Sequence, residues 1–297
     1  MTSAPPVPPP FVVQVPLRWV DQDAQGHVNN ALVADYLQEA RIAFLLGGDN
    51  AHMVGGGGLV AAHQVEFLRP IAFSTRPVAV ELNVGKVGAA QFTLGSQVRQ
   101  GGELAARART RLAITDPSTG APRRMTPTER AWYERRSTTL EPLPDLGRWR
   151  VGEAAFEEDF HVRWSDLDPY DHVDNVRVFD MIAEGRIRMD ATGSGRTRMQ
   201  DAAERGLMWM VVRQDLDYLV PLTYRLEPYR VRTACAKVGR TSMTLAAQVV
   251  DPATGTVHAR SLTVLVCSDA SGRPVPVPPS VPALAARWPA VPKRTPA

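Results

Sequence analysis

Apolar residues along the chain switch between two periods, and the switches mark its elements. After Asn30, the apolar positions Val33, Tyr36, Leu37, Ala40 and Phe44 follow one face of a helix. Val178, Met181, Ile182, Gly185 and Met189 repeat that spacing 145 positions later. Asn30 and Asn175 stand where each helix would take its N-cap. Further on, "VAVELNV" alternates with period two through Val78, Val80, Leu82 and Val84, which predicts a strand. "QFTLGSQVRQGGELAARARTRLAI" predicts two strands around Gln-Gly-Gly-Glu, and "MTLAAQVVDPATGTVHARSLTVLV" predicts two more around Asp-Pro-Ala-Thr-Gly.

The repetition extends to identities. Arg18, Trp19, Asp21, Asp23, His27, Val28 and Asn30 fall on Arg163, Trp164, Asp166, Asp168, His172, Val173 and Asn175. Beyond the helices the offset is 151: Glu66-Phe67 faces Asp217-Tyr218, and Lys86-Val87-Gly88 faces Lys237-Val238-Gly239. The chain therefore reads as a duplicated domain. Each copy is a strand, a turn, one long helix and about four antiparallel strands. The fold class is α+β, with helix and sheet burying each other. Pairing the two copies into one continuous sheet would remove two exposed edges. The expected segments are a Pro-rich disordered tail (1–10), an N-terminal domain (11–136), a linker (137–155), a C-terminal domain (156–285) and a tail (286–297).

The chain has 297 residues, 44% hydrophobic and 22% charged, with a formal net charge of +3. That suits two soluble globular domains. No basic stripe with interleaved aromatics suggests nucleic-acid binding. No apolar run reaches membrane-spanning length, and the N-terminus is unlike a signal peptide, so a cytoplasmic protein is expected. Cys235 and Cys267 lie in strand-like apolar runs and read as buried free thiols.

The chemistry concentrates in "DQDAQGHVNN" (Asp21–Asn30) and its counterpart "DLDPYDHVDN" (Asp166–Asn175). Asp21, Asp23 and His27 lack the further His or Cys ligands of a metal site, so neither metal nor cofactor is called for. "GGGG" at Gly55–Gly58 is no phosphate loop, since no Lys-Ser/Thr follows. "TGSGRT" at Thr192–Thr197 lacks the spacing of a nucleophile elbow.

A strand leading into Asp-x-Asp-x-x-Gly-His-Val-Asn-Asn, then a helix and a four-strand meander, resembles the hotdog-fold thioesterases. The likeness is to the 4-hydroxybenzoyl-CoA thioesterase and acyl-carrier-protein thioesterase types. It covers most of residues 11–136 and 156–280. The resemblance implies a double hotdog, each long helix wrapped by a curled antiparallel sheet, with the acyl group lying between the halves. It implies hydrolysis of acyl-CoA or acyl-carrier-protein thioesters, and it allows a homo-oligomer. It makes Asp23 the nucleophile or general base, assisted by Gln25, His27 and Glu66. Asp168, Tyr170, His172 and Asp217 are the second-copy equivalents. Backbone near Gly26, Val28, Asn29 and Asn30 would bind substrate and hold the oxyanion.

Simpler readings stand beside these. Asp21 can cap local backbone N–H groups. His27 can shape the loop, and Glu39 and its partner Glu184 can be solvated helix residues. Asp171 replaces the glycine and Asp174 the first asparagine, which puts negative charge into the second copy and points to the first as the working site. The rival readings are an acyl-CoA-binding hotdog protein without turnover and a hotdog enoyl-CoA hydratase or dehydratase.

Overall fold

The computed structural model describes residues 8–293 except 24, 49, 56, 117, 193–199 and 201–205. Parts of the two glycine-containing stretches, Gly55–Gly58 and Thr192–Thr197, lie outside these described residues. The chain divides into two compact units, residues 1–143 and 144–297.

In the first unit, β1 (Phe11–Val15) leads into α1 (Asn30–Leu46). Then follow β2 (Gly58–Phe67), β3 (Val78–Val87), β4 (Gln91–Gln100) and β5 (Glu103–Ile114). Their order in the antiparallel sheet is β1-β3-β4-β5-β2. The predicted helical face is the buried one, with Val33, Tyr36, Leu37, Ala40 and Phe44 each at most 5% exposed. It packs over β1 and β3. Along β3, Val78, Val80, Leu82 and Val84 alternate into the core as the period of two requires. The β4–β5 hairpin turns through Gly101 and Gly102, both at positive φ (59° and 87°), the conformation a two-residue primed turn needs.

The second unit repeats this plan. β7 (Phe156–Phe160) leads into α3 (Arg177–Ala191), then β8 (Leu207–Tyr218), β9 (Tyr229–Val238), β10 (Ser242–Val250) and β11 (Val257–Asp269). The antiparallel order is β8-β11-β10-β9-β7. Helix α3 packs over β7, β9 and β10. At Gly185 the approach is so close that an added Cβ would lie 2.5 Å from Val231 Cγ1.

Neither sheet is closed or strongly curled, which corrects the expectation of a sheet wrapped around each helix. The physical reason lies in the pairing: within each unit's own five strands, β1 does not pair with β2, nor β7 with β8.

Further elements went unpredicted. Helix α2 (Pro127–Glu134) follows the first sheet, and α4 (Ser280–Arg287) follows the second. Thr126 and Glu129 form a capping box around Pro127: Glu129 N donates to Thr126 Oγ1 (3.2 Å), and Thr126 N donates to Glu129 Oε2 (2.7 Å). The segment read as a linker holds β6 (Trp149–Val151), which pairs with β12 (Ala290–Pro292) in the stretch read as a tail. Cys235 and Cys267 are buried free thiols. Among the described residues, no helix is long and apolar enough to cross a membrane.

Candidate active site

Each motif folds into the same loop between first strand and long helix. A single 3-10 turn, Trp19–Asp21 in one unit and Trp164–Asp166 in the other, opens it. Asp23 N donates to His27 O at 2.7 Å, and Asp168 N to His172 O at 2.7 Å. Val28 N reaches Ile71 O, and Val173 N reaches Leu222 O, each at 2.8 Å. Asn29 N reaches Asp21 O at 2.9 Å, and Asp174 N reaches Asp166 O at 2.8 Å. The duplicated residues thus build a duplicated backbone.

The candidate carboxylates hold these loops from inside. Asp23 Oδ1 accepts from Gln25 N (2.8 Å) and His27 N (3.3 Å). Asp168 Oδ1 accepts from Tyr170 N (2.8 Å) and His172 N (3.1 Å). Both groups are only partly exposed. Burial raises the Asp168 carboxyl above its ordinary range and the Asp174 charge adds to this, while the two backbone N–H groups pull it down. The backbone N–H groups of Gln25, His27 and His172 are the atoms that bond the two aspartates, and the His172 ring acts on Asp168 through its charge.

Gly26 has φ 79°, and nothing lies within 4 Å of where its Cβ would be. The glycine therefore serves a left-handed backbone rather than a tight space. Asp171 takes the same conformation, at φ 61°. Its substitution for glycine leaves the loop intact at some conformational cost.

The helix cap is Asn29 rather than Asn30. Asn29 Oδ1 accepts from Ala31 N at 3.0 Å, one residue earlier than the apolar pattern suggested. In the second unit Asp174 Oδ1 accepts from Val176 N at 2.9 Å, the equivalent bond, but α3 takes Val176 as its N-cap, two residues later. α3 starts at Arg177, beyond Asn175, which is accordingly no cap either.

The expected oxyanion donors are largely committed. Gly26 N donates to Asp23 O (3.0 Å), while Val28 N and Asn29 N are engaged as above. The His27 N–H, on a long 3.3 Å bond, is the weakest held of these donors.

Glu66 lies on β2. It pairs with Arg107 on β5, which also bonds Glu141 Oε2 at 3.0 Å. Among the described residues Glu66 has no bond to Asp23 or His27. Asp217 faces Arg260 across β8 and β11 and is exposed. Glu39 is exposed, as its solvated reading requires. Among the described residues no group of three or more His, Cys, Asp or Glu could hold a metal ion.

Two features escaped sequence reasoning. Asp21 is 6% exposed, and its Oδ2 accepts from Arg18 N (2.8 Å) and from the Tyr36 hydroxyl (2.7 Å). Burial and the Asp21 carboxylate both push Tyr36 up, so it stays a neutral donor. Tyr36 had been counted only as a core residue; a phenol on an apolar helical face was the available signal. In the second unit Met181 stands in its place, and Tyr218 instead ties down the helix entrance by donating to Asn175 O at 2.7 Å. The second feature is an exposed tryptophan beside each loop. Trp19 meets Phe73 edge-on at 5.6 Å, and Trp164 meets Tyr224 at 5.2 Å.

With the geometry in place, comparison with known proteins is informative. The family model described as the thioesterase-like superfamily matches residues 17–136 and again 162–285. No curated protein sequence matches the chain. Among solved structures, the fold is similar to a 12:0-acyl-carrier-protein thioesterase from Umbellularia californica, with TM-score 0.66 and 18% identity over 87% of this chain and 98% of that one. It is also similar to an acyl-carrier-protein thioesterase from Bacteroides thetaiotaomicron, with TM-score 0.64 and 14% identity over 86% and 97%. At these identities the likeness is one of fold.

Proposed function

The chain belongs to the thioesterase-like superfamily, and from that premise we propose that it hydrolyses acyl thioesters of CoA or acyl carrier protein through Asp23. One observation carries the reading. The Asp23 carboxylate is pinned through Oδ1 by two backbone N–H groups, directly before a capped helix, in a superfamily of thioesterases.

Hydrolysis joins water to the carbonyl carbon and expels the thiol. Asp23 Oδ2 takes the proton as water attacks, and the tetrahedral oxyanion forms. The carbon–sulfur bond then breaks, and the proton leaves with the thiol. If Asp23 attacks directly instead, a mixed anhydride precedes the water step. The His27 N–H is the donor most readily given up to the oxyanion, because its existing bond is long and lies beside the attacking carboxylate. The helix N-terminus adds favourable potential. The Gln25 amide and His27 imidazole are assigned to orient water or the thioester oxygen. Glu66 is assigned to hold Arg107 on the neighbouring strand. Asp168 and His172 form the second, weaker site.

The test is an acyl panel of both CoA and carrier-protein thioesters, followed by thiol release. Turnover of at least one chain length is expected. A folded wild-type protein that releases no thiol from any member would overturn the proposal.

A further inference from the structure

The second unit contains a small cavity beneath its long helix. It lies between α3, the sheet and α4, lined by Met189, Trp209, Met243 and Leu284 and by the charged side chains of Arg186 and Asp190. The duplication explains why it is there. Met189 and Met243 correspond to Phe44 and Phe92 at offsets of 145 and 151. In the first unit Phe44 packs on Trp132 with ring centroids 5.2 Å apart, and Phe92 stacks on Tyr133 at 4.0 Å. Helix α2 supplies both partners, whereas α4 brings Val281 and Leu284 to the corresponding layer. Aromatic plates have been exchanged for slender, flexible chains.

The polar groups differ in the same direction. Arg186 corresponds to Arg41, whose Nη2 donates to Gln38 Oε1 at 2.9 Å. Ala183 occupies the Gln38 position, and Asp190 the position of Leu45. Arg186 has the carboxylate of Asp190 near it. Burial pulls its guanidinium down to about 10, opposed by Asp190. Trp209, at the Gly58 position, is 6% exposed, and its indole N–H has no hydrogen-bond partner among the described residues. A buried donor without an acceptor is uncommon in native proteins.

We propose that this cavity is a second ligand site, remote in sequence from the Asp23 loop, that binds an unbranched aliphatic chain ending in a carboxylate. The chain would lie between Met189 and Met243, with its head on Arg186 and the Trp209 N–H. A guanidinium has five N–H donors, enough to serve Asp190 and a ligand together. Size restricts the occupant. The cavity is narrow, about 30 Å³ in volume. Entry thus depends on the two methionines swinging aside, which admits a methylene chain and excludes a ring system.

The site does not depend on the hydrolytic reading, so binding is measured without turnover. Decanoate is titrated calorimetrically into the full chain as wild type, Asp23→Asn, Met243→Phe and Arg186→Met, with folding checked by circular dichroism. Methionine-methyl NMR of the wild type gives a readout that needs no variant. The expected result is one-to-one binding to wild type and Asp23→Asn, with the Met189 and Met243 methyls shifting. Met243→Phe and Arg186→Met should each weaken it at least tenfold, and decylamine should bind at least tenfold more weakly than decanoate. Unshifted Met189 and Met243 methyls overturn the proposal, as does equal affinity in folded Met243→Phe. Equal affinity for decylamine overturns the carboxylate assignment.

Discussion

Tyr36 donates a 2.7 Å hydrogen bond to Asp21 Oδ2, and so ties the long helix to the loop that carries Asp23. Both partners are buried. Tyr36→Phe keeps the ring and removes the donor to a carboxylate. It should cost about 1–3 kcal/mol in stability, the range for a bond to a charged group. Denaturant unfolding of the two proteins checks this, and an unchanged midpoint would mean that the Arg18 N–H alone satisfies Asp21.

Asp174 Oδ1 holds the Val176 N–H in the turn that leads into α3, and its charge is incidental to that bond. Asp174→Asn should be nearly neutral, whereas Asp174→Ala should lose about 1 kcal/mol, as the loss of one intramolecular hydrogen bond does. At Asp171 the backbone is left-handed at φ 61°, so Asp171→Gly should gain up to about 1 kcal/mol. Urea titrations of the three variants distinguish these outcomes. Equal losses for Asp174→Asn and Asp174→Ala would show that the negative charge matters after all.

The duplication was legible because the site's own residues recur in register. The helical faces and the four-strand runs were legible because burial imposes periods of 3.6 and 2. The cap was misread by one residue, since Asn29 and Asn30 are both able caps and only the backbone turn at Val28–Asn29 decides between them. Sheet curl could not be read, because alternation fixes which face is buried and says nothing about closure. Helix α2 was in fact signalled, by "TPTE" at its start (Thr126–Glu129), a capping box with proline at the first helical position. Glu66 aligned well with a site position, yet its cross-strand neighbour Arg107 claims it. That pairing depends on the β2–β5 register, which periodicity leaves open.

Glu129 predicts a pH dependence of stability. Arg123, then His52 and the Thr126 N–H, hold its carboxyl down at about 2, against the opposing effect of burial. A depressed carboxylate stabilises the fold above its unfolded value, and the contribution fades as pH falls towards about 2. Its size is at most about 3 kcal/mol, shared with Arg123. Glu129→Gln should therefore be less stable than wild type at pH 7, with the gap closing steadily below about pH 4.5. A gap that stays constant down to pH 3 would remove Glu129 as its cause.

Gly185 lets α3 lie against β9. In an open helix Gly→Ala gains about 1 kcal/mol. Here the new methyl would meet Val231 Cγ1 at 2.5 Å, so Gly185→Ala should instead lose about 1–3 kcal/mol through overpacking. The double variant with Val231→Ala should recover part of that loss. Additive losses in the double variant would place the strain elsewhere.

The most direct test of the account is kcat/KM for thioester hydrolysis in Asp23→Asn and Asp168→Asn, measured on the best substrate of the panel. Asparagine keeps the Oδ1 acceptor for both backbone N–H groups and removes only the base, so the loops should survive. Asp23→Asn should lose roughly 10²–10⁴-fold, the usual share of a positioned acid–base group, and Asp168→Asn should stay within a few-fold of wild type. Full turnover in Asp23→Asn with loss in Asp168→Asn would contradict the assignment.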